Sequence, residues 1–362
     1  MFPIWGAVQT FLIYNITSLD PALFQDVDYH DVCETNEHLF RGLETLKSAI
    51  DKITKPASLS IVMAVYNEEK NIKNILTKLA IQSSSQKVKE IIVVSSGSTD
   101  KTDEIVQSIQ SPLITLLREK TRNGKVSALK KAAQLVNGDN ILLIDGDVDI
   151  ENNFIRKCSS CIHSGKIPCT GKIIPISTEN KFFRGLSAVS CEAWNTLREK
   201  CDRAGTFLYP SGYTILLSRN DFIDGIKCIS ETIINDDGLL SLVIFQKDIL
   251  FHYCDNLWVY VKFPQSFRDF FRQKIRTRMG RRQTDGYFFK KIEKQWRREL
   301  INTVNVHNFI YIISFLIMDS FARCAANVKV KISRNSHLWE PVETTKQVQV
   351  ASVVASSEEV NL

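Results

Sequence analysis

The chain has 362 residues, 44% of them apolar, with 46 Lys and Arg against 40 Asp and Glu, a net charge of +6. That length suits one large domain or two ordinary ones, with enough apolar residues for a sizeable core. Nine scattered cysteines (Cys33, Cys158, Cys161, Cys169, Cys191, Cys201, Cys228, Cys254 and Cys324) exclude an evenly paired disulfide framework and suit a reducing compartment. Cys158-Ser-Ser-Cys161 is the only CxxC, and without a second pair at zinc-ribbon spacing it reads as buried free thiols.

The apolar start "MFPIWGAVQTFLIY" precedes the first charge, Asp20, so it lacks the basic flank of a secretory signal and is too short and interrupted to predict a membrane span. Asp20-Pro21 reads as a helix start, and Leu39, Leu43, Leu46, Ile50 and Ile53 recur at helical spacing. Residues 1–56 are therefore expected to form a helical lead-in ending at Pro56. From Ser58 strands alternate with helices. "LSIVMAVYN" reads as a strand, followed by a helix with apolar residues at 72, 75, 76 and 79. "VKEIIVVSSGSTD" gives a second strand and turn, with a helix from about Thr102 to Gln110. "PLITLLRE" is a third strand, "GKVSALKKAAQLV" a third helix and "ILLIDGDVDI" contains a fourth strand. This order predicts a mostly parallel sheet with helices on both faces and a ligand site at the carboxyl ends of the strands.

Those ends are polar: "YNEE" (66–69), "SSGSTD" (95–100) and "DGDVD", where Asp145, Asp147 and Asp149 alternate. Carboxylates spaced two apart repel one another unless a divalent cation or water relieves them. Tyrosine, serines and acids on one rim suit a nucleotide with its metal. Neither GxGxxG nor GxxxxGK[ST] follows a strand, which removes most support from dinucleotide and P-loop readings.

In order and separation, "IVMAVYNEEKNI", "IIVVSSGSTDKT", "RNGKVSALKKA" and "ILLIDGDVDI" resemble the inverting family 2 glycosyltransferases of GT-A fold. The likeness continues through "YPSGYTILLSRNDF" (209–222), "IINDDGLLSL" (233–242) and "FRDFFRQKIRTRMG" (267–280). It implies an α/β, Rossmann-like GT-A sheet with helical N- and C-terminal extensions. The glycosyltransferase domain would span 57–285, with a nucleotide half at 58–150 and an acceptor half at 151–285. A basic and apolar helical segment at 286–340 and a flexible tail at 341–362 would follow.

Carried over by position, the resemblance makes "DGD" the DxD motif, with Asp147 on a Mg²⁺ or Mn²⁺ ion and Asp145 on the metal or the ribose. Tyr66 would lie against the base with Asn67 and Glu68 nearby, although Asn67 and Glu69 also suit a helix N-cap. Lys125, with Arg122 before it, would reach the base or phosphates from a helix N-terminus. Asp237 would be the catalytic base beside Asp236, the alternative being that one of them caps a helix starting at Gly238. Gln273 and Arg276 match the start of QxxRW and would contact acceptor or diphosphate. Two departures stand out. Ser95 and Ser96 replace the usual acid pair and would hydrogen-bond the nucleotide without charge, and Thr277 stands where processive members have tryptophan.

Residues 268–298 hold twelve Lys and Arg against three Asp and Glu, which leaves the rest of the chain about three charges negative. No nucleic-acid fold accompanies the patch, so nucleic acid is not expected as a partner; diphosphate and anionic headgroups suit it better. The apolar run 309–318, ending at Asp319, is too short to span a bilayer but suits a membrane surface. The expectation is a metal-dependent enzyme moving sugar from a UDP- or GDP-sugar to a glycan or lipid-linked hydroxyl, cytoplasmic and peripheral to the membrane. A catalytically silent sugar-nucleotide binder and a nucleotidyltransferase are the alternatives.

Overall fold

In the computed structural model, residues 57–332 are described except 85, 86, 234, 284 and 285, and the side chains of 281–288 and 326–332 are also outside the description. The lead-in expected at 1–56 and the tail expected at 341–362 lie outside the described residues.

The first half follows the predicted alternation. Strands β1 (Leu59–Val65), β2 (Val88–Ser96), β3 (Ile114–Glu119) and β4 (Asn140–Ile144) are joined by helices α1 (Ile72–Ser83), α2 (Thr102–Ser108) and α3 (Lys125–Ala133). Then come β5 (Val148–Ile150), α4 (Phe154–His163), β6 (Cys169–Pro175), α5 (Lys181–Arg203), β7 (Thr214–Ser218), α6 (Arg219–Lys227), α7 (Asp236–Phe245) and β8 (His252–Val261). Three helices close the described chain: α8 (Phe267–Gln283), α9 (Gly286–Asn302) and α10 (Phe309–Ile332).

The eight strands form one sheet in the order β3-β2-β1-β4-β7-β6-β8-β5. Pairing is parallel from β3 to β4 and between β6 and β8, and antiparallel where β7 and β5 join. This is the expected α/β class, a Rossmann-like parallel half completed by a mixed half. Alternation along β1 shows why both faces need cover. Leu59, Ile61, Met63 and Val65 pack with α1 and α4, whereas Val62 packs with α3 and α5. The predicted apolar positions of α1, Ile72, Ile75, Leu76 and Leu79, are all fully buried. The C-terminal helices share the core on the α5 face through Phe289, Trp296, Leu300, Ile312 and Phe315.

Registers bring the strand ends together. Val65 lies opposite Ser95, and Ser96 opposite Glu119. Antiparallel pairing of Ile144 with Thr214 places the loop before β7 beside Asp145, whose amide donates to the Tyr213 carbonyl at 3.3 Å. The chain then breaks strand at Gly146 and resumes at Val148, so the third aspartate parts from the other two. Asp149 is 1% exposed and pairs with Lys78 Nζ of α1 at 2.6 Å, while its Oδ1 also accepts from the Ile150 amide.

Asp149 is thus a structural acid. Lys78→Met would leave it buried without its cation, and partial exposure of Lys78 puts the cost toward the lower end of roughly 3–5 kcal/mol. We expect a lowered urea midpoint in Lys78→Met and in Asp149→Asn, with turnover of the folded fraction unchanged. Loss of turnover at an unchanged midpoint would contradict the assignment.

Candidate active site

A cavity of about 350 Å³ opens at the carboxyl ends of β1, β2 and β4, and the loop before β7 and helices α7 and α8 close it. On the β1 side stand Tyr66 and Glu68. The Arg122 guanidinium lies 3.9 Å from the centre of the Tyr66 ring, a cation–π pair that forms a flat wall. Arg122 is brought there by Gly97, whose φ of +68° suits glycine and where a Cβ would meet the Arg122 amide at 2.6 Å. Glu68 is buried and accepts from Asn71 Nδ2 at 3.0 Å.

Lys125 opens α3, and its ammonium donates to Asp145 Oδ1 at 2.8 Å and lies 3.4 Å from Asp236 Oδ2. Burial alone would drive Lys125 toward neutrality, but Asp145 and Asp236 outweigh it and keep it charged. Asp145 is pushed up to about 6 by burial, with Asp147 adding repulsion against the pull of Lys125. Asp147 is half-buried in the cavity and, among the described residues, makes no hydrogen bond or ion pair. Two neighbouring carboxylates, one unpaired and one raised chiefly by burial, supply hard oxygen donors that fit a divalent cation.

Helix α7 begins at Asp236, two residues before the expected Gly238, with Asn235 at the N-cap position and no side-chain cap bond. Both acids therefore sit in the first turn, where the helix dipole favours negative charge. Their roles differ. Asp236 is tied to Lys125, whereas Asp237 Oδ1 accepts from the Gly238 amide at 2.8 Å and from the Tyr209 hydroxyl at 3.5 Å. Its Oδ2 lies against Gly212, where a Cβ would stand 2.7 Å away, so glycine makes room for this carboxylate.

Tyr66, Glu68, Ser96, Arg122, Lys125, Asp145, Asp147, Asp236, Asp237, Gln273 and Arg276 all line this cavity. Asn67 and Ser95 do not. Asn67 adopts a left-handed φ of 52° and accepts from the Thr99 amide at 2.8 Å, bracing the β1 turn against the β2 turn. It does not cap α1, whose N-cap position is Asn71. The Ser95 hydroxyl donates to Ser98 Oγ at 2.9 Å. Ser96 reaches the wall, but its hydroxyl donates to Glu119 Oε2 at 2.5 Å and accepts from the Asn123 and Gly124 amides. It thereby fixes the loop that delivers Lys125.

Trp194, Arg198, Tyr209 and Lys262 also line the cavity and were not singled out from the sequence. Arg198 is buried on α5, donates from Nε to the Tyr209 carbonyl at 3.0 Å and lies 5.3 Å from the Trp194 ring. Its position on one face of a long helix carried no local signal. "YPSG" was a usable signal, because a Pro-Gly loop before a strand marks close backbone approach.

Residues 60–223 match the family described as Glycosyl transferase family 2. The dolichyl-phosphate beta-glucosyltransferase ALG5A of Trichomonas vaginalis is 36% identical over 105 residues, covering 26% of this chain and 32% of that protein. Glycosyltransferase AglE of Haloferax volcanii is 24% identical over 124 residues, 34% of this chain and 41% of that protein. The chain therefore spans about a third to two-fifths of the length of these curated relatives. Among solved structures, the mannosyltransferase PcManGT from Pyrobaculum calidifontis in complex with GDP-Man and Mn²⁺ is 17% identical, with 82% of this chain and 86% of that chain covered and a TM-score of 0.49. TarS of S. aureus in complex with UDP is 15% identical, with 72% and 70% covered and a TM-score of 0.42. The matched stretch, residues 60–223, is similar to the family 2 glycosyltransferases, and it carries Tyr66, Lys125, Asp145 and Asp147.

Proposed function

We propose that the chain is a metal-dependent inverting transferase that moves sugar from a UDP- or GDP-sugar to a hydroxyl on a glycan or lipid-linked acceptor. One observation carries this reading: the unpaired Asp147 carboxylate and the Asp237 carboxylate face into the same cavity of about 350 Å³. Residues 58–150 form the nucleotide half, with Tyr66 and Arg122 walling the base, and residues 151–285 form the acceptor half with Asp237, Gln273 and Arg276. Residues 286–340 serve as the segment that meets the membrane.

Asp145 and Asp147 would hold Mg²⁺ or Mn²⁺, which neutralises charge on the departing diphosphate. The rest belongs to side chains. Lys125 and the N-terminus of α3 set positive potential beside the phosphates. Asp237 takes the proton of the acceptor hydroxyl as its oxygen bonds to the anomeric carbon and the bond from that carbon to the phosphate oxygen breaks. Attack opposite the leaving group inverts the centre. Asp236 is less available for this role, since its carboxylate is paired with Lys125.

Helix α10 supports the membrane part. Phe309, Ile310, Ile313, Ile317 and Phe321 are exposed on one face, while Ile312, Phe315, Met318 and Ala322 are buried on the other. Among the described residues no helix is long and apolar enough to cross a membrane. Exposed Lys290, Lys291, Lys294 and Arg298 form a row on α9 that leads, through exposed Ile301, Val304 and Val306, into that apolar face. A basic row followed by an apolar face suits peripheral binding to the anionic cytoplasmic leaflet, where a lipid-linked acceptor would sit. The Trichomonas relative is named a dolichyl-phosphate beta-glucosyltransferase, which supports the lipid-linked branch.

Three measurements test this. Asp147→Asn should abolish both turnover and the metal dependence of nucleotide binding while the circular dichroism spectrum is kept; full wild-type activity in chelator would refute metal dependence. Asp237→Asn should retain donor binding and lose turnover by at least about 10²-fold, with only about 0.3–1 kcal/mol of stability lost from the first turn of α7. Asp236→Asn should cost less turnover, and the reverse ranking would move the base by one residue. The protein should sediment with anionic vesicles at low salt and less at high salt, and Ile310→Asp should weaken this. Equal soluble recovery with and without vesicles would remove the membrane proposal.

A further inference from the structure

Three of the eight described cysteines meet in the apolar core beneath α4, with a fourth, Cys158, buried in the same core, and none of them lines the cavity. Cys161 sits in the last turn of α4, Cys169 opens β6, and Cys254 lies near the start of β8. Parallel pairing sets Cys169 opposite His252 and Gly171 opposite Cys254, so the two strand cysteines are diagonal neighbours. The three sulfurs lie within 4.8 Å of one another, and Cys161 Sγ is 3.1 Å from Cys254 Sγ. Cys158 is buried one helical turn before Cys161, at the spacing that puts both on one face.

Burial of a single free thiol needs no explanation, because cysteine behaves as a small apolar residue. Convergence of three sulfurs from three separate elements does. Three sulfurs cannot be satisfied by one disulfide.

We propose that Cys161, Cys169 and Cys254, with Cys158 as the fourth donor, form a structural site for a soft d¹⁰ cation, zinc. Thiolate donors select such ions over the hard cation suited to the aspartates of the cavity. Zinc–sulfur bonds of about 2.3 Å in a tetrahedron put the sulfurs about 3.8 Å apart. The Cys161–Cys254 pair therefore opens by several tenths of an ångström and the widest pair closes, movements that side-chain rotation supplies. Each coordinating thiol releases its proton to solvent, so the ion binds more weakly as pH falls.

Position gives the site its purpose. It staples α4 to the paired strands β6 and β8. Thr170, next to Cys169, accepts from the Ser211 amide at 3.0 Å, and Ser211 belongs to the cavity wall. β8 runs on to Lys262 and Phe263, which line the same wall. Zinc at this point would brace the wall from behind without touching substrate.

The test is metal content and stability of the full chain, independent of sugar transfer. Protein prepared under reducing conditions with zinc present should retain about one zinc per chain after gel filtration. The mercurial p-chloromercuribenzoate should release it, and replacement by cobalt should give thiolate charge-transfer bands. Chelation should lower the melting midpoint, and zinc but not magnesium should restore it. Cys161→Ser should lose the ion, whereas Cys228→Ser, at an exposed cysteine, and Asp147→Asn should keep it. If Cys161→Ser fails to fold, mercurial release from the wild type decides the question. A zinc-free protein whose midpoint ignores added zinc would overturn the site, as would a metal-free Cys161–Cys254 disulfide found by peptide mapping.

Discussion

The ammonium of Lys125 holds the centre of this molecule together. It lies between Asp145 at the end of β4 and Asp236 at the start of α7, and it comes from the first residue of α3. Three elements with no local reason to meet are tied by one cation. In a poorly solvated cavity these attractions exceed their value in water, and removing the lysine would leave Asp145, Asp147, Asp236 and Asp237 facing one another. The arrangement also divides labour among the acids. Asp145 and Asp236 are partly neutralised by Lys125, whereas Asp147 makes no hydrogen bond or ion pair among the described residues and Asp237 is held by the Gly238 amide and the Tyr209 hydroxyl. A motif that resembles a substrate-contacting "NGK" therefore works first as an internal counter-ion, and its delivery depends on Ser96, whose hydroxyl fixes the Asn123–Gly124 backbone.

Local periodicity made the first half of the sheet legible. The helical spacing of Ile72, Ile75, Leu76 and Leu79 and the apolar run of β4 are physical consequences of burial on one face or two. The second half was not legible in the same way. β8 inserts between β6 and β5, and the last three helices pack against α5, through pairings far apart in sequence that leave no periodic trace. In the site, side chains diverge through geometry over one or two residues. Adjacent strand residues point to opposite faces, so only one of Ser95 and Ser96 reaches the cavity. A left-handed turn rotates Asn67 away. The triplet of aspartates reads as one rim, yet the strand break at Gly146 sends Asp149 to Lys78.

The basic stretch shows how a charge count differs from a surface. Residues 268–298 carry nine more cations than anions, which from sequence alone is a solvated or membrane-facing patch. Part of that excess is turned inward instead. Asp319 is 2% exposed; Arg278 donates to both its oxygens at 3.0 Å, Arg297 pairs with it, and Lys274 stands 3.9 Å away. Burial would push this carboxyl up, but Lys274, Arg278 and Arg297 outweigh that and hold it below the ordinary range. Glu293 joins the cluster from α9 through Arg278 and Arg297. Among the described side chains, the cations of this stretch left exposed are Arg268 on α8 and Lys290, Lys291, Lys294 and Arg298 on α9.

That cluster gives the α8 side of the cavity its rigidity. Helix α8 carries Gln273, Lys274, Arg276 and Arg278 along the cavity, and two of these four side chains are the ones that grip Asp319. Asp319 belongs to α10, whose opposite face exposes Phe309, Ile310, Ile313 and Ile317. Breaking a buried cluster of this kind leaves uncompensated charge, so α8 and α10 cannot separate without a cost of several kcal/mol. The helix that offers an apolar face outward and the helix that lines the cavity are thus held as one body, and a surface bound by the first fixes the position of the second.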